Sequence, residues 1–143
     1  CDEPRPRYKI EGTEIRLYIP RDTDYAKIAP YVESFLVEVY RMESKRYLPG
    51  RVKELAERFG FRYRDLSFRN NISNWGSCSA EDNISLNVKL MKLPDEIIDY
   101  VILHELCHTV EKNHSADFWA LMKKVCPDCM KLRGRLREYN TRV

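Results

Sequence analysis

The sequence predicts an α+β fold in which a small antiparallel sheet packs on helices and a central helix carries a histidine motif. Polar and apolar residues alternate over residues 14–19 and 83–90, which is the period of a half-buried strand. Elsewhere, apolar residues recur at three- and four-residue steps, which is the period of an amphipathic helix. At 143 residues, the chain is expected to form one domain that spans residues 1–143.

The N-terminal segment contains one predicted strand. Residues 1–12 hold two prolines and a glycine among charged residues, and we expect an irregular or edge segment there. Residues 14–19 follow as a half-buried strand, which Pro20 ends.

Two helices are predicted next, because apolar residues recur at helical spacing over residues 30–47 and 52–59. Pro49 and Gly50 stand between them, and both are poor helix formers, so we expect a break there. Gly60 follows the second helix, at the position where a left-handed residue commonly ends one.

The rest of the predicted sheet surrounds a long loop. Residues 63–69 and 83–90 have strand patterns, and we expect them to pair as a β-hairpin or meander. The segment between them is rich in Asn, Ser and Gly, which predicts a loop, although Trp75 and Cys78 are set inside it. A Trp in such a loop either anchors the loop on the core or lines a cleft.

Three helices complete the chain. The central helix is predicted to begin at Pro94 and to end at 112–113, because Asn tolerates the left-handed conformation that reverses a chain. Ser115 is a suitable N-cap for the next helix, and a last, basic helix is predicted over residues 127–139.

The basic residues of this last segment have two interpretations. They could form a patch that faces phosphate groups. Their alternation with leucines favours instead the solvent-exposed face of an amphipathic helix. The residues concerned are Lys131, Arg133, Arg135, Arg137 and Arg142.

Composition argues against a disordered chain, a membrane-spanning chain and a small disulfide-rich scaffold. Hydrophobic residues make up 43% and charged residues 33% of the chain, as in globular proteins, and the apolar runs are too short to span a bilayer. A net charge of +3 does not indicate a nucleic-acid partner. Five cysteines cannot all pair with one another, and no second Cys-x-x-Cys accompanies Cys126 and Cys129. We therefore expect free cysteines and a cytoplasmic location.

All three histidines of the chain lie close together in the sequence. His104, Glu105 and His108 form a His-Glu-x-x-His motif, and His114 follows six residues later. Positions i and i+4 share one face of a helix, so His104 and His108 can bind the same metal ion. Random placement of three histidines and thirteen glutamates in 143 residues yields this motif in about 0.5% of cases. The alternative is a buried helix whose histidines make ordinary hydrogen bonds, and the motif favours a zinc site over it.

The motif also predicts a reaction. Catalytic zinc typically has three protein ligands and an open position, and His104, His108 and His114 supply three if the chain reverses after the central helix. Zn²⁺ would lower the pKa of a bound water to about 7 and polarise a carbonyl group. Glu105, which is kept out of the ligand set, would act as the general base. The predicted reaction is zinc-dependent hydrolysis of protein or peptide amide bonds.

Several motifs occur in order between about residue 50 and residue 130. They are Trp-Gly-Ser-Cys-Ser at 75–79, Ile-Ser-Leu-Asn at 84–87, the apolar segment and histidine motif at 98–108, and Asn-His at 113–114. In this order they resemble the YgjP-like metallopeptidases, a family of the zincin group that also includes the SprT-like and WLM proteases.

The resemblance implies a zincin-like fold and a protein or peptide substrate. It also implies that the three histidines bind zinc, that Glu105 is the catalytic base, and that Trp75 lies near the substrate cleft. The family tends to have a basic residue just before the Trp, where this chain has Asn74. Two alternatives stay open, a DNA-associated protease similar to the SprT-like and WLM enzymes, and a zinc-binding scaffold without catalytic turnover.

Overall fold

The computed structural model describes residues 7–11 and 14–142. Contacts divide the chain into two compact units, one up to residue 39 and the other over residues 40–142. The candidate metal site belongs wholly to the second unit. The single domain expected over residues 1–143 stays a prediction.

The first unit contains an antiparallel hairpin. Strand β1, Arg7–Glu11, pairs with β2, Glu14–Tyr18, from Arg7 opposite Tyr18 to Glu11 opposite Glu14. The strand predicted over residues 14–19 is thus confirmed over Glu14–Tyr18. Of the two conformations expected for residues 1–12, irregular or edge, Arg7–Glu11 has the second, because it pairs with β2. Residues 1–6 and 12 lie outside the described residues.

Helix α1, Tyr25–Phe59, is continuous, so the predicted break at Pro49-Gly50 is wrong. Leu48 and Val52 flank the pair and are fully buried in the core of the second unit. Burial of two such side chains stabilises by about 3–6 kcal/mol, which offsets roughly 3 kcal/mol for a helical Pro and 1 kcal/mol for Gly. Packing therefore overrides local propensity at this point.

Helix α1 ends where the sequence predicts. Gly60 adopts a φ of +75°, and the N–H of Phe61 donates to the carbonyl of Ala56 at 2.8 Å. This bond, from the second residue beyond the helix back into its last turn, is the Schellman arrangement.

The sheet of the second unit is mixed rather than antiparallel. It consists of β3, Leu66–Arg69, β4, Gly76–Cys78, and β5, Ile84–Asn87, in the order β3-β5-β4. β3 runs parallel to β5, and β4 runs antiparallel to it. The predicted hairpin between the first and last of these strands is therefore wrong.

The reason is that the predicted loop contains a strand of its own. The Ser79 N–H donates to the Asn83 carbonyl at 2.9 Å, and Asp82 has a φ of 65°, which forms a tight turn between β4 and β5. β4 thereby occupies one edge of β5, and β3 pairs with the other edge. The predicted strand 83–90 ends early, because the Asn87 side chain accepts the Lys89 N–H at 3.0 Å and begins a 3₁₀ helix, Val88–Lys92.

Three helices complete the second unit. They are α2, Asp95–Cys107, α3, Ala116–Val125, and α4, Cys129–Leu136. Ser115 caps α3 as predicted, since its hydroxyl accepts the Phe118 N–H at 3.3 Å. α4 is shorter at both ends than predicted. Helix α2 packs on β4, β5, α3 and α4, and most of its residues are buried.

The described cysteines, Cys78, Cys107, Cys126 and Cys129, are all free, as expected for the last two. Among the described residues, every helix is too short or too polar to cross a bilayer.

Candidate metal centre

The C-terminal end of α2 carries the histidine motif. Between Ile97 and Cys107 every residue of the helix except Asp99 and His104 is buried, which holds the motif against the core. His104 and Glu105 lie in the last turn of the helix, and His108 is its C-cap residue.

The chain reverses sooner after α2 than the sequence predicts. The N–H groups of Thr109 and Val110 donate to carbonyls three residues back, at 3.0 and 3.1 Å, and the Thr109 hydroxyl also donates to the Leu106 carbonyl at 2.6 Å. These tighter bonds end the α-helix at Cys107, so the predicted end at 112–113 is wrong. Asn113 does not have a positive φ, so its predicted left-handed conformation is wrong too.

This turn is attached to the sheet. The Lys112 ammonium group donates to the Ser79 carbonyl at 3.1 Å and pairs with the Asp82 carboxylate, both in the turn between β4 and β5. Ser115 then starts α3, so His114 is held between an anchored turn and a capped helix.

The three histidines converge on one point. His114 Nε2 lies 3.1 Å from His104 Nε2 and 3.1 Å from His108 Nε2, and one ligand atom from each of the three lies within 4.8 Å of the others. A single ring nitrogen has either one proton or one lone pair, so His114 cannot satisfy both neighbours by hydrogen bonding. Nitrogens bound tetrahedrally to zinc at 2.0–2.1 Å lie roughly 3.4 Å apart, close to the separations seen here.

The ring orientations also suit a cation. His108 Nδ1 lies 2.9 Å from the Glu111 carbonyl, which can only accept, so Nδ1 carries the proton and the Nε2 lone pair is free. The His108 ring stacks on Phe118 at 4.5 Å, and the rings of His104 and His114 meet Phe118 edge-on at 5.0 Å. Phe118, which is fully buried, therefore positions all three rings.

Electrostatics favours neutral imidazoles, the form that binds metals. The pKa of His104 is lowered to about 4, first by burial and then by the neighbouring His108 and His114. Burial also lowers the pKa of His108. His104 Nδ1 is buried and has no hydrogen-bond partner in the part of the chain that the structure describes.

Glu105 lies beside this cluster and is buried, with 6% of its surface exposed. Burial raises the pKa of its carboxyl group to about 8. Gly76 of β4 packs directly against it, since a Cβ atom at that position would lie 3.1 Å from both Cγ and Oε2 of Glu105. This close approach explains the Gly in the Trp-Gly-Ser-Cys-Ser motif, a role that the sequence does not reveal.

Trp75 lines the same cavity as two of the motif residues, His104 and Glu105. The volume of this cavity is about 320 Å³. The loop before Trp75 is held by the Asn87 side-chain amide, which donates to the carbonyls of Asn71 at 2.8 Å and Asn74 at 3.0 Å. His104 therefore belongs both to the histidine cluster and to this cavity, whereas His108 and His114 belong to the cluster and are not among the residues that line the cavity.

Arg133 of α4 and Arg137, the C-cap residue of that helix, also line this cavity. The interpretation of the basic tail residues as an exposed helix face is wrong for Arg133, which is half-buried. Their spacing of four residues places both on one side of α4, a signal present in the sequence. The sequence does not reveal that this side faces the cavity, because that depends on how α4 packs against α2.

Comparisons with known proteins place this geometry in context. A family model described as "YgjP-like, metallopeptidase domain" matches residues 3–139. The metallopeptidase zymogen abylysin of Pyrococcus abyssi is similar in structure, with 22% identity and a TM-score of 0.55 over 61% of this chain and 89% of that one. The metallopeptidase zymogen jannalysin of Methanocaldococcus jannaschii has 20% identity and a TM-score of 0.53 over 61% and 90%.

At these identities, the two solved structures show a shared fold, and they confirm the predicted α+β, zincin-like fold class. A comparison with curated proteins finds no match.

Proposed function

Since the chain belongs to the YgjP-like metallopeptidase family and is a peptide-bond hydrolase, we propose that its metal is zinc. His104, His108 and His114 would be the ligands and Glu105 the general base. The observation that carries this proposal is the convergence of three Nε2 atoms, with that of His114 lying 3.1 Å from each of the other two, beside a buried carboxyl group.

The chemistry of the donors supports zinc over other common ions. Mg²⁺ and Ca²⁺ prefer oxygen ligands, whereas the three converging atoms here are imidazole nitrogens. Three protein ligands with an open position are typical of catalytic rather than structural zinc. When bound, zinc would supply Lewis-acid chemistry and positive charge, lowering the pKa of water to about 7, polarising a carbonyl group and favouring an ionised carboxylate nearby.

The chain's own residues would move the protons. In its ionised form, Glu105 accepts a proton from the attacking water and then donates it to the leaving amine. Burial and contact with Gly76 hold this carboxyl group in place beside the histidines. Trp75 would contact the substrate from the wall of the cavity.

Metal analysis of the purified protein tests the ligand set. We expect about one zinc per chain in wild type and a sharp fall in His114→Ala, because two ligands bind far more weakly than three. Unchanged zinc in His114→Ala would contradict the proposed site.

Glu105→Gln tests the catalytic role separately. We expect this variant to keep its zinc and to lose peptidase activity by about 10²–10⁴-fold, the usual contribution of general acid–base catalysis. Unchanged activity at full zinc content would remove Glu105 from the mechanism. If the protein is a zinc-binding scaffold without turnover, Glu105→Gln should keep its zinc and cause no measurable change in activity.

We also propose a cytoplasmic location. The four described cysteines are free, and thiols persist in reducing compartments.

A further inference from the structure

Arg133 occupies an unusual position in the wall of the cavity. It projects from α4 beside Trp75 and Tyr100, which line the same cavity as His104. Its guanidinium carbon lies over the Trp119 ring, 5.0 Å from the ring centre, which is the distance of a cation–π contact.

Among the described residues, Arg133 has no acidic partner, unlike Arg51 and Arg135, which are also half-buried. Arg51 pairs with Asp99 at 2.6 Å, and Arg135 of the same helix pairs with Glu96 at 3.0 Å. None of the described carboxylates lies within 4 Å of Arg133. Keeping a half-buried cation unpaired costs free energy, so its retention at a cavity suggests that an anion from outside the chain pairs with it.

The rest of the cavity suits a peptide that bears a carboxylate. Arg137, one helical turn beyond Arg133, adds a second positive charge to the same wall. Trp75, Tyr100 and Leu136 supply apolar surface for a side chain. A guanidinium group matches a carboxylate by two parallel hydrogen bonds, which a neutral amide cannot reproduce.

We infer that this cavity is a carboxylate-binding subsite in which Arg133 selects substrates with a carboxylate near the scissile bond. The inference rests on the proposed function, since it assigns the cavity to the substrate of the histidine site. The carboxylate would be either the C-terminus of a peptide or the side chain of Asp or Glu.

Matched quenched-fluorescence peptides distinguish these sources. One pair differs by a free or amidated C-terminus, and a second pair, amidated throughout, differs by Glu or Gln at a single position scanned across the sequence. For wild type we expect kcat/KM to be about tenfold higher for the carboxylate member of one pair, equivalent to about 1.4 kcal/mol. The pair that shows the preference identifies the source.

Substitutions then assign the preference to Arg133. We expect Arg133→Ala to reduce the ratio of kcat/KM values to about one and Arg133→Lys to give an intermediate ratio, because Lys keeps the charge but loses the planar fork. Arg135→Ala is the control, and the wild-type ratio should persist in it because Arg135 pairs with Glu96. If Arg133→Ala fails to fold, Arg133→Met keeps the apolar stem over Trp119 and takes its place.

Binding of the same peptides to Glu105→Gln separates this inference from the proposed function. Calorimetric titration needs no turnover, and we expect about tenfold tighter binding of the carboxylate peptide, lost when Arg133→Ala is added. Such binding without wild-type cleavage would support the subsite and contradict the proposed function. Cleavage without preference, or a preference unchanged in Arg133→Ala, would overturn the subsite and leave the proposed function standing. An equal loss of kcat/KM on both members of a peptide pair in Arg133→Ala would also overturn the subsite.

Discussion

At the scale of single residues, the site depends on how closely β4 approaches Glu105. The Cα of Gly76 faces the carboxyl group so directly that an added methyl would lie 3.1 Å from Glu105 Oε2 and 3.3 Å from Leu86 Cδ2. Both neighbours are buried and have little room to move.

Gly76→Ala should therefore weaken both stability and catalysis. We expect a loss of about 1–2 kcal/mol in the free energy of unfolding, measured by urea denaturation, as is usual for an overpacked core. Displacement of Glu105 should also lower kcat/KM while zinc content is kept. Gly134→Ala is the control, because a Cβ there meets nothing within 4 Å. An equal loss of activity in both variants would contradict the proposed contact.

Glu105 should also give the zinc-free protein a distinctive pH dependence. Its folded pKa of about 8 lies above the ordinary value of 4.5, so the folded state binds the extra proton between these values. The stability it contributes is present below about pH 4.5 and is lost as pH rises through 8.

Glu105→Gln is neutral at every pH and escapes this loss. With zinc removed, we expect the free energy of unfolding of the variant, measured by urea denaturation, to exceed that of wild type by up to about 4 kcal/mol at pH 9. Near pH 4.5 the two free energies should be equal. The lowered pKa of His104 acts in the opposite sense at acid pH, but it is present in both proteins and cancels in the difference. A difference that does not vary with pH would contradict the raised pKa.

At the scale of elements, the sequence predicts two helix ends that have a local capping signal, but it predicts neither the end of α2 nor the continuity of α1. The Ser115 cap and the Gly60 terminus depend on neighbouring residues alone, and both are as predicted. Continuity through Pro49 depends on the burial of Leu48 and Val52 by distant residues, which no local pattern reveals.

The residues of the site also differ in whether their roles depend on local sequence or on distant packing. The i, i+4 spacing of His104 and His108 is local, so the metal cluster is predictable from the sequence. The contact of Gly76 with Glu105 and the position of Arg133 depend on how β4 and α4 pack against α2. These residues are missed because their roles arise from tertiary structure.

Gly50→Ala tests whether α1 is continuous in solution. Gly50 is exposed within the helix and a Cβ would meet nothing within 4 Å, so Ala should stabilise the protein by about 0.5–1 kcal/mol. If the chain instead broke at this point with a left-handed glycine, Ala would be strained and would destabilise it. The sign of the change in urea denaturation therefore distinguishes the two conformations.

At the scale of the whole molecule, the histidine cluster joins segments that are otherwise connected by one turn. His104 and His108 belong to the end of α2, whereas His114 directly precedes the cap of α3. An ion held by all three would bind the folded state but not an unfolded chain with separated ligands, so it would stabilise the entire fold.

Zinc should therefore raise the melting temperature. At a free concentration 100-fold above its Kd, zinc adds about 2.7 kcal/mol, which for this chain length corresponds to roughly 10 °C. We expect that difference between zinc-loaded and chelator-treated wild type in thermal unfolding. His114→Ala should lose it, because the remaining two nitrogens come from α2 alone. Cys126→Ala is the control, because Cys126 and Cys129 are also metal-binding side chains that lie close in sequence. We expect this variant to keep the increase in melting temperature. The reverse pattern, an increase in melting temperature that is kept in His114→Ala and lost in Cys126→Ala, would indicate that the cysteines and not the histidines bind the metal.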